Sequence, residues 1–370
     1  MRKHNPKNER IKRRYFDYLK EAKRMDTSSI DMAAAAIVSF EHWANYRDFA
    51  KFHIEQAKGF KAHLAKARNE KTGRPLAKAT IHSRLMALKA FFFWLAGQPG
   101  YKSRISYADA DYFNPSANDS RISTARREKK VPTIDQIMLV LSKMPTGSDI
   151  EKRDRAIVAF TLLTGARDDA VASLRLKHIN LADRSVFQDG REVRTKNRKT
   201  FTSYFLPVGD DVEAIVRDWM QHLTETLMFG PDDPLFPATE VGVTNTGLFG
   251  AVGLSRKQWK NAAAIRRIFK AAFEAAGLPY SNPHSFRDTL TVLGERRCRT
   301  PEEFKAWSQN LGHEKVMTTF TSYGAVANGR QAEIINALRQ TANKSASAIA
   351  DEPDPATIAR VFAYLQERAG

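Results

Sequence analysis

Cysteine is nearly absent: Cys298 is the one thiol in 370 residues. A single thiol excludes an internal disulfide framework and a cysteine-built metal site within the chain, and it suits a reducing compartment such as the cytoplasm. Long apolar runs are missing too. The longest, from Ala90 to Ala96, falls far short of the ~20 residues a membrane-spanning helix needs. The N-terminus is basic but lacks the apolar core of a signal peptide. No glycine-rich phosphate loop, zinc-ligand spacing or carboxylate cluster for two metals is found, which argues against an ATP-driven motor and against a metal-dependent nuclease or transposase. Acidic residues are the scarcer charge, 41 against 59 Lys and Arg, for a net +18. That excess favours a polyanionic partner, usually nucleic acid; a basic protein of another kind, such as a ribosome-associated factor, is the alternative.

The length suits two domains. Residues 1–24 carry ten Lys and Arg against three Asp and Glu. They read either as an arm on DNA phosphates or as a short helix packed through Tyr15, Phe16, Tyr18 and Leu19. Residues 25–118 read as a helical DNA-binding domain, opening on a capping box of Ser28 and Asp31. Its clearest helix sets Ile81, Leu85, Leu88, Phe92 and Leu95 on one face. Lys78, His82, Arg84 and Lys89 lie on another, facing either a duplex backbone or solvent. The polar stretch 119–131, ending Arg126-Arg127-Glu128-Lys129-Lys130, reads as an exposed basic linker.

A second domain is expected over 132–345. Thr133 and Gln136 form a capping box, a buried helix runs from Asp154 to Leu163 and ends at Gly165, and the next helix runs through Leu174 and Leu176. Residues 185–208 switch to period two, with Asp189-Gly190 as a hairpin turn and Tyr204 to Val208 as a further strand. From Trp259 onward the pattern is again helical. After a breaker at Asp351-Glu352-Pro353-Asp354-Pro355, the tail 346–370 holds a short amphipathic helix with Ile358, Val361, Phe362 and Leu365 on one face. It needs a surface to dock on, in its own chain or a neighbour.

Three separated stretches carry chemistry: Thr164-Gly165-Ala166-Arg167, Thr195-Lys196-Asn197-Arg198-Lys199, and His284-Ser285-Phe286-Arg287 followed by Leu311-Gly312-His313 and Tyr323. Breaking a phosphodiester without a metal requires holding charge on the non-bridging oxygens and protonating a poor leaving group. Guanidinium forks meet the first need, and Arg167 and Arg287 are the candidates; Arg167 could instead pair with Asp168 or Asp169. His284 and Arg287, three apart on a helix, share a face. A tyrosine attacking phosphorus stores the bond energy in a covalent link, so rejoining needs no ATP.

In this order the residues resemble the tyrosine recombinase family, also called phage-type integrases, from about Ser28 to Tyr323 and most specifically from Leu162. The resemblance implies a mainly α fold with a small antiparallel β-sheet. A helical core-binding bundle and a mixed α/β catalytic domain would close on double-stranded DNA as a C-shaped clamp. It implies Tyr323 as nucleophile, Arg167, Arg287 and His313 as transition-state stabilisers, His284 as proton acceptor, and Lys196 (Lys199 second) as general acid. It also implies no cofactor, a homotetramer on paired sites, with accessory proteins left open, and docking of the tail helix on a neighbouring protomer. Three features depart from the family pattern: Ala170 where an acid is usual, Asp288 where histidine is frequent, and ten rather than nine residues from His313 to Tyr323. The rival readings are a type IB-like topoisomerase and a catalytically retired sequence-specific DNA-binding protein.

Overall fold

The computed structural model describes residues 4–70, 72–124, 131–244 and 246–313. It divides into two compact units, Met1–Arg127 and Glu128–Gly370. The fold is mainly helical with two small antiparallel sheets. No helix of the described residues is long and apolar enough to cross a membrane.

The first unit contains α1 (Pro6–Asp17), α2 (Thr27–Trp43), α3 (Ile54–Lys66), α4 (Lys78–Ala96) and α5 (Ala117–Thr124). Of the two readings of the basic N-terminus, the packed helix is the one seen. Ile11, Tyr15 and Leu19 are buried in the core, and buried Glu41 on α2 accepts from Asn8 Nδ2 at 2.9 Å and Lys12 Nζ at 2.6 Å. The basic residues on the other side of α1 remain exposed. On α4, Leu85, Leu88, Phe92 and Leu95 are buried as their spacing requires, with Ile81 partly so. Phe40 anchors the centre, edge-on to Phe60, Phe92 and Phe113 at 5.2, 5.4 and 5.6 Å, a geometry aromatic quadrupoles favour.

Two expectations in this unit are corrected. The cap of α2 is Asp26, which accepts from Ser29 N, rather than Ser28, whose own hydroxyl donates to the Asp26 carboxylate at 2.8 Å. The supposed linker is helical at its start: α5 lies against α4, where Lys78 pairs with Asp119 at 2.7 Å. Residues 125–130, the most basic part of that stretch, lie outside the described residues.

In the second unit follow α6 (Ile134–Lys143), α7 (Asp149–Thr164), α8 (Asp168–Val171), β1 (Ile179–Asn180), β2 (Ser185–Gln188), β3 (Phe201–Tyr204), α9 (Asp210–Gln221), β4 (Thr239–Val243), β5 (Phe249–Leu254), α10 (Ala263–Ala275), α11 (Pro283–Arg297) and α12 (Pro301–Asn310). The Thr133–Gln136 capping box forms. The central helix is α7, buried on every side from Ala156 to Thr164 and packed on α6, α9, α10 and α11. It starts earlier than Asp154 because Ser148 and Glu151 form a capping box.

The strand region differs from its sequence pattern. β1, β2 and β3 form an antiparallel sheet in that order, with Val186 opposite Ser203. Asp189-Gly190 is not a hairpin turn: Arg191 and Val193 donate backbone hydrogens to Asp189 and turn the chain out into a connection over residues 189–200. The last strand is Phe201–Tyr204 rather than Tyr204 to Val208, and Leu206 N instead donates to Leu163 O of α7 at 2.7 Å. Nor does α8 run to Leu174 and Leu176; it is one turn that stops at Val171. The hairpin β4–β5 is not anticipated at all, because its glycines and exposed valines give no clean alternation of burial.

Glu41→Ala should destabilise the first unit by about 3 kcal/mol, since it strands a buried ammonium. Glu21→Ala, which removes an exposed partner of Arg24, should fall within about 0.5 kcal/mol of wild type. Urea denaturation of the full chain separates the two.

Candidate functional site

The site is assembled at the end of α7. There Gly165 adopts a left-handed φ of +62°, and a Cβ would stand 2.6 Å from Leu311 Cδ2, so a side chain is excluded by conformation and by space. The turn aims the Gly165 carbonyl at α11. Arg287, at 4% exposure, donates Nη1 to that carbonyl and Nη2 to the Leu311 carbonyl. Nη2 also lies 3.0 Å from His313 Nε2. A guanidinium only donates, so Nε2 accepts and a neutral His313 carries its proton on Nδ1. Gly312 (φ +69°) packs so closely on β3 that a Cβ would meet the Phe201 ring at 2.8 Å. One buried side chain thus ties together the Thr-Gly-Ala-Arg, His-x-x-Arg and Leu-Gly-His stretches.

The electrostatics differ from those of an ordinary buried arginine. Arg153, also buried, pairs with the Asp154 carboxylate at 2.6 Å and lies over the Trp259 ring; it is a structural cation. Arg287 has no ion-pair partner among the described residues, only carbonyls and an imidazole. Burial, then the nearby Arg167 guanidinium, push its pKa down to about 9, so it stays charged at neutral pH. Arg167 is half-buried, and desolvation lowers its pKa. Among the described residues its guanidinium makes no hydrogen bond or ion pair. The adjacent acids are committed elsewhere, Asp168 to Arg266 at 2.7 Å and Asp169 to Arg194 at 3.0 Å. Ala170 is buried in the core at 1% exposure, where a carboxylate would be poorly solvated. Arg167 itself stands just before α8, a single turn of four residues.

His313 is held neutral. Desolvation, followed by the charges of Arg287, Arg167, His284 and Lys199, lowers its pKa to about 4. That set of neighbours shows which sequence candidates converge. His284 stands exposed in the first turn of α11, whose cap Asn282 accepts from Ser285 N at 3.1 Å. Lys199 lines a cavity of about 580 Å³ with Phe201, Asn310, Gly312 and His313. Lys196 is exposed on the turn of the 189–200 connection and does not line that cavity. Asn197 and Arg198, which follow it, both have left-handed backbones, at φ 59° and 55°. Tyr323 and the tail residues Ile358, Val361, Phe362 and Leu365 lie outside the described residues. Residue patterns could not reveal the carbonyls of Gly165 and Leu311, because backbone acceptors carry no side-chain signal.

Comparison with known proteins places the chain in a family. The sequence pattern of the phage integrase family matches residues 130–330. A tyrosine recombinase XerC of Lactobacillus delbrueckii subsp. bulgaricus is 23% identical over 252 residues, 67% of this chain and 72% of the relative. One of Actinobacillus succinogenes is 26% identical over 257 residues, 68% and 72% respectively. Among solved structures, a lambda integrase (75–356) dimer bound to a COC′ core site matches with a TM-score of 0.58 at 12% identity, covering 86% of this chain and 97% of that one. The Tn1549 transposon integrase in complex with transposon right end DNA matches with a TM-score of 0.56 at 14% identity, covering 89% and 99%. At such identities the structures speak for the fold.

His313 should titrate near pH 4 by histidine NMR in the free protein, and its midpoint should rise when orthovanadate supplies negative charge to the site. An unfolded histidine binds its proton near 6.5. The unfolded state therefore holds more protons between about 4 and 6.5, and the stability His313 contributes is lost as pH falls through that window. His313→Asn should flatten this loss, as followed by thermal denaturation at stepped pH.

Proposed function

Because this chain belongs to the phage integrase family of tyrosine recombinases, we propose that it is a site-specific DNA recombinase acting through a 3′-phosphotyrosine intermediate, without metal or ATP. The observation that carries this reading is the pair Arg167 and Arg287, two partly or fully desolvated guanidiniums without a carboxylate between them, beside a neutral histidine. Such a cluster is costly when empty and is stabilised by a phosphodiester anion. Its donors are preorganised before the substrate arrives, where oriented dipoles contribute most to lowering a barrier.

In this mechanism Tyr323 Oη attacks the scissile phosphorus and passes its proton towards His284. The bond from phosphorus to the 5′ oxygen breaks, and Lys196 protonates that oxygen. Arg167, Arg287 and His313 hold the non-bridging oxygens of the pentavalent state. The free 5′-hydroxyl of a second duplex then attacks the phosphotyrosyl bond, displaces the tyrosine and takes over the phosphate. Exchange on two strand pairs passes through a four-way junction, with four protomers on two sites. The cavity shared by Lys199 and His313 favours one variation, in which Lys199 supplies the proton.

Wild type and Tyr323→Phe, incubated with sheared host DNA, denatured and sequenced for what stays attached, decide the chemistry. Recurrent ends at one inverted-repeat site, seen with wild type only, are expected. Scattered ends would indicate topoisomerase behaviour, and adducts with Tyr323→Phe would reject this nucleophile. Arg167→Ala should lower adduct formation by about 10²–10³-fold without lowering the melting temperature, since it removes a desolvated charge that has no partner among the described residues of the free protein.

A further inference from the structure

The connection over residues 189–200 carries Lys196 at a tip whose backbone is unusual. Asn197 and Arg198 are consecutive non-glycine residues with positive φ, an arrangement that surrounding contacts must impose. The contacts converge one step earlier, on Arg194. Its Nε donates to Asp169 Oδ1 at 3.0 Å and its Nη2 to the Trp259 carbonyl at 2.9 Å. Its backbone N–H donates to Ser173 Oγ at 2.9 Å. The single hydrogen of that hydroxyl is shared between the carbonyls of Asp169 and Ala170, each 3.0 Å away. Asp169 and Ser173 belong to the turn that begins at Arg167.

We propose that Asp169 and Arg194 are positioning residues: they lock the 189–200 connection to the Arg167 turn, so that the phosphate-gripping guanidinium and the general-acid lysine move as one piece. Ala170 supplies no carboxylate for this purpose; Asp169, one position earlier, reaches the connection. The pair is partly exposed, with side chains 50% and 35% accessible, and such pairs add little to folding stability. Its role is geometric, so substitution should leave the fold intact and misplace the lysine. Planar Arg194 makes a fork between a carboxylate and a carbonyl, which lysine cannot reproduce.

The catalytic half of this inference rests on Lys196 being the general acid; the lock itself does not. Hydrogen exchange of the full-length protein, without DNA, tests the lock. Arg194→Gln and Asp169→Asn should each raise exchange within residues 191–200 and leave α7 and the melting temperature unchanged. Wild-type exchange in that segment would overturn the proposal. Cleavage then tests the consequence, on an oligonucleotide carrying the site recovered by covalent capture, with oxygen or sulfur at the bridging 5′ position. A sulfur leaving group departs without protonation. Lys196→Ala should lose about 10²-fold or more on oxygen and recover on sulfur. Arg194→Gln should lose about tenfold on oxygen, as misplaced groups do, and recover on sulfur in the same way. Equal losses of Arg194→Gln on both substrates would overturn the positioning role. Failure of Lys196→Ala to recover would instead reject Lys196 as the acid, and recovery by Lys199→Ala would transfer the role to it.

Discussion

The contact of Arg287 with the Gly165 and Leu311 carbonyls is the constraint on which the second unit's functional face depends. A buried guanidinium must satisfy its donors, and here it does so with backbone oxygens from two turns far apart in sequence. That requirement brings the end of α7, the face of α11 and the end of α12 to one point. The left-handed turns at Gly165 and Gly312 accompany it, where a side chain would meet Leu311 and Phe201.

A chain with a net charge of +18 has cations to spare, and the structure sorts them by partner. Arg153 and Arg194 have carboxylates and serve the scaffold. Arg287 and Arg167 have none among the described residues, and their joint field, with burial, keeps His313 neutral. Placing uncompensated charge in a desolvated position lowers stability locally and raises affinity for an anion, a trade common at functional sites.

Legibility in the sequence followed how local each signal is. The α4 stripe and the Thr133–Gln136 capping box were readable because a helix decides them within one or two turns. The limits of the strands were not, since a register depends on the opposite partner: Asp189-Gly190 has hairpin chemistry, but its hydrogen bonds open a longer connection. The β4–β5 hairpin escaped because its exposed Val241, Val243 and Phe249 lack the buried face that gives a strand its alternation. Arg167, His284, Arg287 and His313 stood out as candidates through order and spacing, whereas the partners that hold them did not.

By itself the sequence determined which side chains could grip a phosphate, that the chain carries a large excess of positive charge, and that helices predominate, because charge, residue chemistry and 3.6-residue periodicity are properties of short stretches. Only the tertiary structure decided that Arg287 is anchored by carbonyls rather than carboxylates, that Asp168 and Asp169 face away from Arg167 towards Arg266 and Arg194, and that Lys199 shares a cavity with His313. The physical reason is the same in each case. A side chain's charge is written in its residue type, but its desolvation and its hydrogen-bond partners are set by whatever the fold packs against it.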